Sequence, residues 1–235
     1  MQDDDGLSFV IPAAEPLPRA RLREQLRPAI LCVLVLTLLT GCVFPLVLFA
    51  IGRPLFPHQA SGSLRTRDGA LIGSALIGQE FTRPEYFQPR PSAAGTSAAG
   101  TSVGNGYDAT SSGGTNLGPN NPKLTNGAAD FAGIRQLAEE YRTRNGLASD
   151  ALIPIDAVTR SGSGLDPDIT PENAALQIAR VAQARGMSEE TVRRLVADYT
   201  VGPQFGFLGN PRVSVLDLNL ALDQMPKGAA TPTSR

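Results

Sequence analysis

The residues Leu39-Thr40-Gly41-Cys42 have the types and order of a lipobox. That motif supports cleavage of the peptide bond before the cysteine and lipidation of Cys42. A lipoprotein leader needs a basic start and a short apolar stretch, and both are present. After the cysteine such a leader gives way to a polar tether. Here Val43 to Ile51 continue as apolar residues. The uncharged run reaches from Pro28 to Gly52, longer than the roughly 7–15 apolar residues of a leader. As a helix it spans about 37 Å, enough for a hydrocarbon layer of about 30 Å. The sequence therefore favours an uncleaved span. An exported lipoprotein, or an anchored binding module, is the alternative.

Little other chemistry is available. Cys32 and Cys42 are the only cysteines and both lie in the apolar run. The remainder cannot form a disulfide, a thiolate zinc site or a cysteine nucleophile. His58 is the only histidine, which removes most histidine metal sites and argues against a Ser-His-Asp triad. Asp166-x-Asp168 in "SGSGLDPD" starts like a calcium loop, but no further ligand series or bidentate glutamate follows. ALIG occurs twice, at Ala70–Gly73 and Ala75–Gly78, without the lysine or spacing of a phosphate-binding loop. Across 235 residues the net charge is -1, so no global basic field points to nucleic acid. These residue types describe a single-pass anchored, non-enzymatic accessory domain.

The elements that must position these residues follow from patterning. Residues 1–26 are acidic and proline-rich and read as a disordered cytoplasmic tail. Residues 27–52 read as the transmembrane helix, with Pro28 in its first turn and Pro45 kinking its interior. Arg19, Arg21, Arg23 and Arg27 precede it and only Arg53 closely follows, which favours the N-terminus inside and residues 53–226 outside. Asp68-Gly69 predicts a hairpin turn, and the apolar faces of its second strand predict burial. AAGTS repeats at Ala93–Ser97 and Ala98–Ser102, within a low-complexity loop at about 92–106. Helices are expected over Gly127–Arg144, over Pro171–Arg185 with Thr170 as cap, and over Glu189–Tyr199 with Ser188 as cap. "LIPIDAVT" reads as a short strand. Arg212–Leu216 reads as a strand and Leu218–Met225 as a helix, before a disordered tail at 227–235. On the Pro171 helix, Ala174, Ala175, Ile178, Val181 and Ala182 form the apolar stripe. Gln177 and Arg180 border it, the usual place for solvated side chains. The fold class is α+β: one N-terminal transmembrane helix followed by a single mixed α/β extracytoplasmic domain.

The chain resembles a known family, the C subunit of the Kdp potassium-transporting P-type ATPase. The resemblance runs from about Leu26 to Asp223. Its blocks include "TGCVFPL" at Thr40–Leu46, "FPHQASGSL" at Phe56–Leu64 and "GSALIGQEF" at Gly73–Phe81. "YFQPRPSA" at Tyr86–Ala93, "YDATSSGGTNLGPNNPKL" at Tyr107–Leu124, "SGSGLDPDITPENAALQIARVAQARG" at Ser161–Gly186 and "VSVLDLNLALD" at Val213–Asp223 follow.

The resemblance implies an accessory subunit of an ATP-driven, high-affinity potassium import complex in the bacterial inner membrane. Its implied partners are a channel-like K⁺-binding subunit, a P-type ATP-hydrolysing subunit and a small hydrophobic peptide. It also implies a catalytic chaperone that raises the ATP affinity of the hydrolysing subunit, with Gln177 in "QIARVA" matching a glutamine linked with ATP. No metal cofactor of its own is implied. Orientation places Gln177 outside, where ATP is scarce, so assembly and stabilisation is the preferred mechanism. Gly41 and Pro45 fall in the family's membrane motif, as a close-packing point and a kink. Asp108, Asp166 and Asp168 could draw cations to an outer mouth. The AAGTS duplication enlarges a loop between two family blocks, so deletion of Ala93–Ser102 is expected to leave assembly intact.

Overall fold

The computed structural model describes residues 22–95, 106–129 and 131–225. The proposed terminal tails lie largely outside these, as do residues 96–105 of the low-complexity loop. The chain divides into two compact units, residues 1–60 and 61–235.

In the first unit, helix α1 (Leu22–Leu38) continues through a π-helical turn (Leu39–Val43) into α2 (Phe44–Leu55). A short α3 (Pro57–Ala60) follows. Leu22 to Leu26, expected in the tail, are already helical. The helix runs 34 residues with a mean hydropathy of 2.7 in its most apolar stretch, long and apolar enough to cross a membrane. Pro45 accounts for the π turn. It has no N–H, and in a regular helix its ring would press on the carbonyl of Gly41. The helix widens instead, and the Phe44 N–H donates to the Leu39 carbonyl. The Thr40 hydroxyl donates back to the Leu36 carbonyl at 2.7 Å.

The second unit opens with the expected hairpin. Strands β1 (Leu64–Arg67) and β2 (Ala70–Ser74) pair antiparallel around Asp68 and Gly69. Both turn residues have positive φ, 51° and 79°, as a tight hairpin turn requires. The expected burial of β2 is not observed. Leu71 is 61% exposed, and Leu76, in the second ALIG, has left the strand and is 63% exposed. Apolar residues on both faces bury a strand only when a layer covers each face, and among the described residues β2 is only half-buried, over Ile72–Ser74.

A second, three-stranded sheet holds the larger core. Its order is β3 (Asp168–Ile169), β5 (Arg212–Ser214), β4 (Thr200–Val201), all neighbours antiparallel. Helices α6 (Pro171–Arg185), α7 (Glu189–Asp198) and α8 (Val215–Gln224) bury Ile178, Val181, Val192, Leu218 and Leu222 with Phe87 and Val213. Strand β5 stops before Leu216 because Ser214 caps α8, its hydroxyl accepting from the Asp217 N–H. A smaller cluster joins Tyr141 of α5 (Ile134–Asn145) to Ala157 and Val158.

Two further expectations need correction. The helix expected over Gly127–Arg144 starts only at Ile134, as α5, and a separate short α4 (Pro122–Asn126) precedes Gly127. Gly127 takes φ 84°, and a Cβ on Gly133 would lie 2.2 Å from the Gly127 nitrogen, so the two glycines allow a backbone approach that breaks the helix. "LIPIDAVT" forms a 3₁₀ turn at Ile155–Ala157, not a strand, because Asp156 turns inward to bond the start of α6.

The ends of the low-complexity loop are fixed. The Ser92 hydroxyl donates to the Gly164 carbonyl and accepts from the Ala94 and Tyr107 N–H groups. The Gly95 N–H donates to the Ser111 carbonyl, and Ala94 is fully buried. The ten-residue deletion therefore removes anchored residues as well as loop, which bears on stability rather than on assembly. Removing one AAGTS copy regenerates the same Ala93–Gly95 and should leave the melting temperature within about 1 °C of wild type. Removing both copies puts Gly104 in the place of Ala94 and should lower it measurably in a calorimetric scan. Equal melting temperatures for all three chains would contradict this.

Candidate functional site

Helix α6 builds the most ordered polar constellation among the described residues. Thr170 caps it by accepting from the Asn173 N–H, Pro171 opens it, and Gly186 closes it in the left-handed conformation. Asn173, Gln177 and Arg180 then recur at helical spacing on one face. That face points inward. Gln177 is 1% exposed and Arg180 is also buried, whereas Ala175 of the expected apolar stripe is exposed. The solvated border expected for Gln177 and Arg180 is thus overturned.

Every hydrogen-bonding position of the Gln177 amide is filled. Its Oε1 accepts from the Gln88 N–H at 2.8 Å and from Arg180 Nη2 at 2.7 Å. Its Nε2 donates to the Gln88 carbonyl at 3.1 Å and to Asn173 Oδ1 at 2.9 Å. Asn219 of α8 treats the preceding residue in the same way. It accepts from the Phe87 N–H at 2.8 Å and donates to the Phe87 carbonyl at 2.9 Å. Each side-chain amide thus imitates a neighbouring strand, reading both the donor and the acceptor of one residue.

The segment Pro84–Gln88 is held throughout. Arg180 Nη1 donates to the Pro84 and Tyr86 carbonyls at 2.6 and 2.9 Å. Arg185 Nε donates to the Glu85 carbonyl at 2.7 Å. With Asn219 and Gln177, five successive carbonyls end on side chains of α6 and α8. Pro84 and Pro89 lack N–H groups, so this segment cannot complete a backbone ladder, and side chains take its place. Farther out, Tyr141 donates to Asn173 Oδ1, and Asn173 Nδ2 donates to Asp156. Asp156 also accepts from the Thr170 N–H at 2.8 Å, a favourable place for a carboxylate at the start of a helix.

Charge in the cluster is finely placed. Arg180 bonds only neutral oxygens, those of Asn145, Gln177 and two carbonyls. Burial pushes its pKa down to about 10, so it stays protonated at neutral pH. Burial first, and then the charge of Asp156, raises the Tyr141 phenol. At the rim, Asp223 accepts from Arg185, Arg67 and Tyr86. Its burial alone would raise its pKa, but these hydrogen bonds outweigh that and hold it below the usual carboxylate range. The folded state therefore binds the Asp223 proton less readily than the unfolded chain. The stabilisation is complete above the unfolded value of about 3.9 and is lost as pH falls through the lower folded value. Asp223→Asn should lower the urea midpoint at pH 7 and should lose that deficit as pH falls through the lowered folded value. A deficit that persisted unchanged in acid would assign the effect to packing alone.

A cavity of about 240 Å³ adjoins the cluster, lined by Glu80, Gln88, Arg90, Tyr141, Arg144 and Arg160 among others, but not by Gln177. The three aspartates proposed to draw cations do not converge on a shared ion. Asp166 pairs with Arg90 at 2.7 Å and Asp168 with Arg212 at 3.0 Å. Asp108 accepts from Thr110. Among the described residues no group of His, Cys, Asp or Glu is arranged to hold a metal. Gly41 and Pro45 lie at the π turn, and among the described residues, the helix's own neighbouring backbone aside, nothing comes within 4 Å of a Cβ placed on Gly41. Sequence reasoning singled out Gln177 but missed Asn173, Arg185 and Asn219. The available signal was long polar side chains recurring every three or four residues inside apolar stripes.

Fold and cluster define a class: a domain behind one long apolar helix, stiffened by buried amides and guanidinium groups. The chain belongs to the KdpC family, whose model, described as the K⁺-transporting ATPase c chain, matches residues 26–224. It is similar to a potassium-transporting ATPase KdpC subunit of Mycobacterium tuberculosis, 50% identical over 204 residues, covering 87% of this chain and 100% of that one. The corresponding subunit of Burkholderia vietnamiensis is 46% identical over 213 residues, with 88% and 100% covered. That of Rhodopseudomonas palustris is 48% identical over 203 residues, with 85% and 98% covered.

Proposed function

We propose that this chain is the non-catalytic accessory subunit of an ATP-driven potassium import complex. It assembles with a channel-like K⁺-binding subunit, a P-type ATP-hydrolysing subunit and a small hydrophobic peptide. Its long helix is an uncleaved single span in the inner membrane, with the N-terminus cytoplasmic and residues 61–225 outside. Family membership over residues 26–224 supports the pump assignment. The observation that carries the mechanism is the saturated Gln177 amide, which has no remaining donor or acceptor for a ligand. Gln177 acts by holding a rigid docking domain together, and any rise in the ATP affinity of the hydrolysing subunit follows from assembly.

The neighbouring cavity favours a second reading, direct ATP contact. Arg90, Arg144 and Arg160 line it, and guanidinium groups suit phosphate oxygens. The two readings separate in the purified complex. If the domain acts by assembly, Arg144→Ala leaves the KM for ATP of K⁺-dependent hydrolysis unchanged. A KM raised tenfold in a fully assembled Arg144→Ala complex would establish the direct reading. A wild-type chain that failed to co-purify with the pump subunits would refute the accessory role. Protease digestion of sealed inside-out vesicles tests orientation, because the domain should be protected there.

A further inference from the structure

The π turn leaves hydrogen-bonding capacity open in the middle of the apolar helix. The Phe44 N–H, which an α-helix would give to the Thr40 carbonyl, is given to Leu39. The next residue, Pro45, has no N–H to give. The Thr40 carbonyl therefore lacks a donor at both helical positions that could supply one, and the Gly41 carbonyl lacks its own donor four residues on. The Thr40 hydroxyl is committed to Leu36. In hydrocarbon no water satisfies these oxygens, and each unpaired group is costly. Beside them Gly41 has no side chain and open space around its Cβ position, so a second backbone or a short side chain can approach.

We infer that the π turn is a docking point for a membrane-spanning helix of a partner subunit that presents a hydroxyl or amide donor, from Ser, Thr, Asn or Gln, to the carbonyls at residues 40 and 41. The inference rests on the accessory-subunit reading. Hydrogen-bond complementarity selects this partner over lipid, whose acyl chains have no donor. Glycine admits the donor at close range, and proline keeps the acceptors free.

The test uses the whole complex, recovered in mild detergent through a tag on a partner subunit. Pro45→Ala restores an N–H that can close on the Gly41 carbonyl, and Gly41→Leu fills the approach. Both should lower recovery of the chain by about threefold or more, the scale of one hydrogen bond between membrane helices. Val43→Leu, two positions on and roughly half a turn round the helix, should match wild type. Carbonate extraction confirms that every variant is still membrane-inserted. A photocrosslinking residue at position 37, one turn before Gly41 on the same face, should capture a partner helix with Ser, Thr, Asn or Gln within one turn of the captured site. Wild-type recovery of both Pro45→Ala and Gly41→Leu overturns this inference alone, as does crosslinking to lipid or to a helix without a donor. Failure of the wild-type chain itself to co-purify overturns the accessory reading and this inference with it.

Discussion

Gln177→Ala lowers the stability of the domain by about 3 kcal/mol, a melting-temperature loss of roughly 6–12 °C. The change strands the N–H and carbonyl of Gln88, one N–H of Arg180 and the Oδ1 position of Asn173 that Gln177 served. These groups are buried, so water does not replace the lost partner at once, and each unsatisfied group costs about 1–3 kcal/mol before relaxation. Gln177→Met separates polarity from volume. It fills nearly the same space without hydrogen bonds, so its loss should be close to that of alanine. Gln177→Glu keeps the acceptor for Arg180 and Gln88 but sets an oxygen against the Gln88 carbonyl, and should also destabilise. If thermal scans show all three variants within about 1 °C of wild type, the cluster does not hold Pro84–Gln88 in place. The same variants bear on function. Under the assembly mechanism, loss of pump activity tracks loss of folded domain and disappears in whatever fraction still assembles.

Gly164→Ala produces an effect of similar size for a different reason. Gly164 sits at φ 70°, where an L side chain is strained. A Cβ there would lie 2.5 Å from the Gly113 carbonyl oxygen and 2.7 Å from the Ala94 nitrogen. Both are backbone atoms of segments zipped to this loop through the bonds from Gly113 to Ser163 and from Ser92 to Gly164. Neither can swing aside as a side chain would. The expected cost is about 1–2 kcal/mol of strain plus about 1–3 kcal/mol of displaced backbone. Gly146→Ala is the control, with φ 64° and nothing within 4 Å of its Cβ position. It should show the strain alone. Equal urea midpoints for the two variants would mean that the close approach at Gly164 relaxes freely.

Much of this architecture could be read from the chain. Helices α6 and α7 were legible because their ends are marked by local chemistry, with Thr170-Pro171 and Ser188 opening them and Gly186 between. The Asp68-Gly69 hairpin was legible because few residue pairs accept positive φ at both positions. Two of the failures turn on contacts that the neighbouring residues do not reveal. Nothing near Asp156 shows that its carboxylate caps a helix fourteen residues later, so its surroundings read as a strand. Nothing near Gly127 shows that Gly133 must pass close to it. The candidate site was half legible. Gln177 stood out through the family motif, but its burial could not be inferred from the wheel, because Pro84–Gln88 supplies its partners from 89 residues away.

The order of the second sheet sets a timetable for synthesis. Its middle strand, β5, is the last of the three in the chain, and both outer strands pair only with it. Asn219, which holds Phe87, comes later still. A nascent chain that has reached only residue 211 therefore has neither this second sheet nor a completed cradle for Pro84–Gln88. Cooperative folding of this domain waits for its final helix. Until α8 has been made, neither the larger core nor the Pro84–Gln88 cradle can close, so both form in one late step.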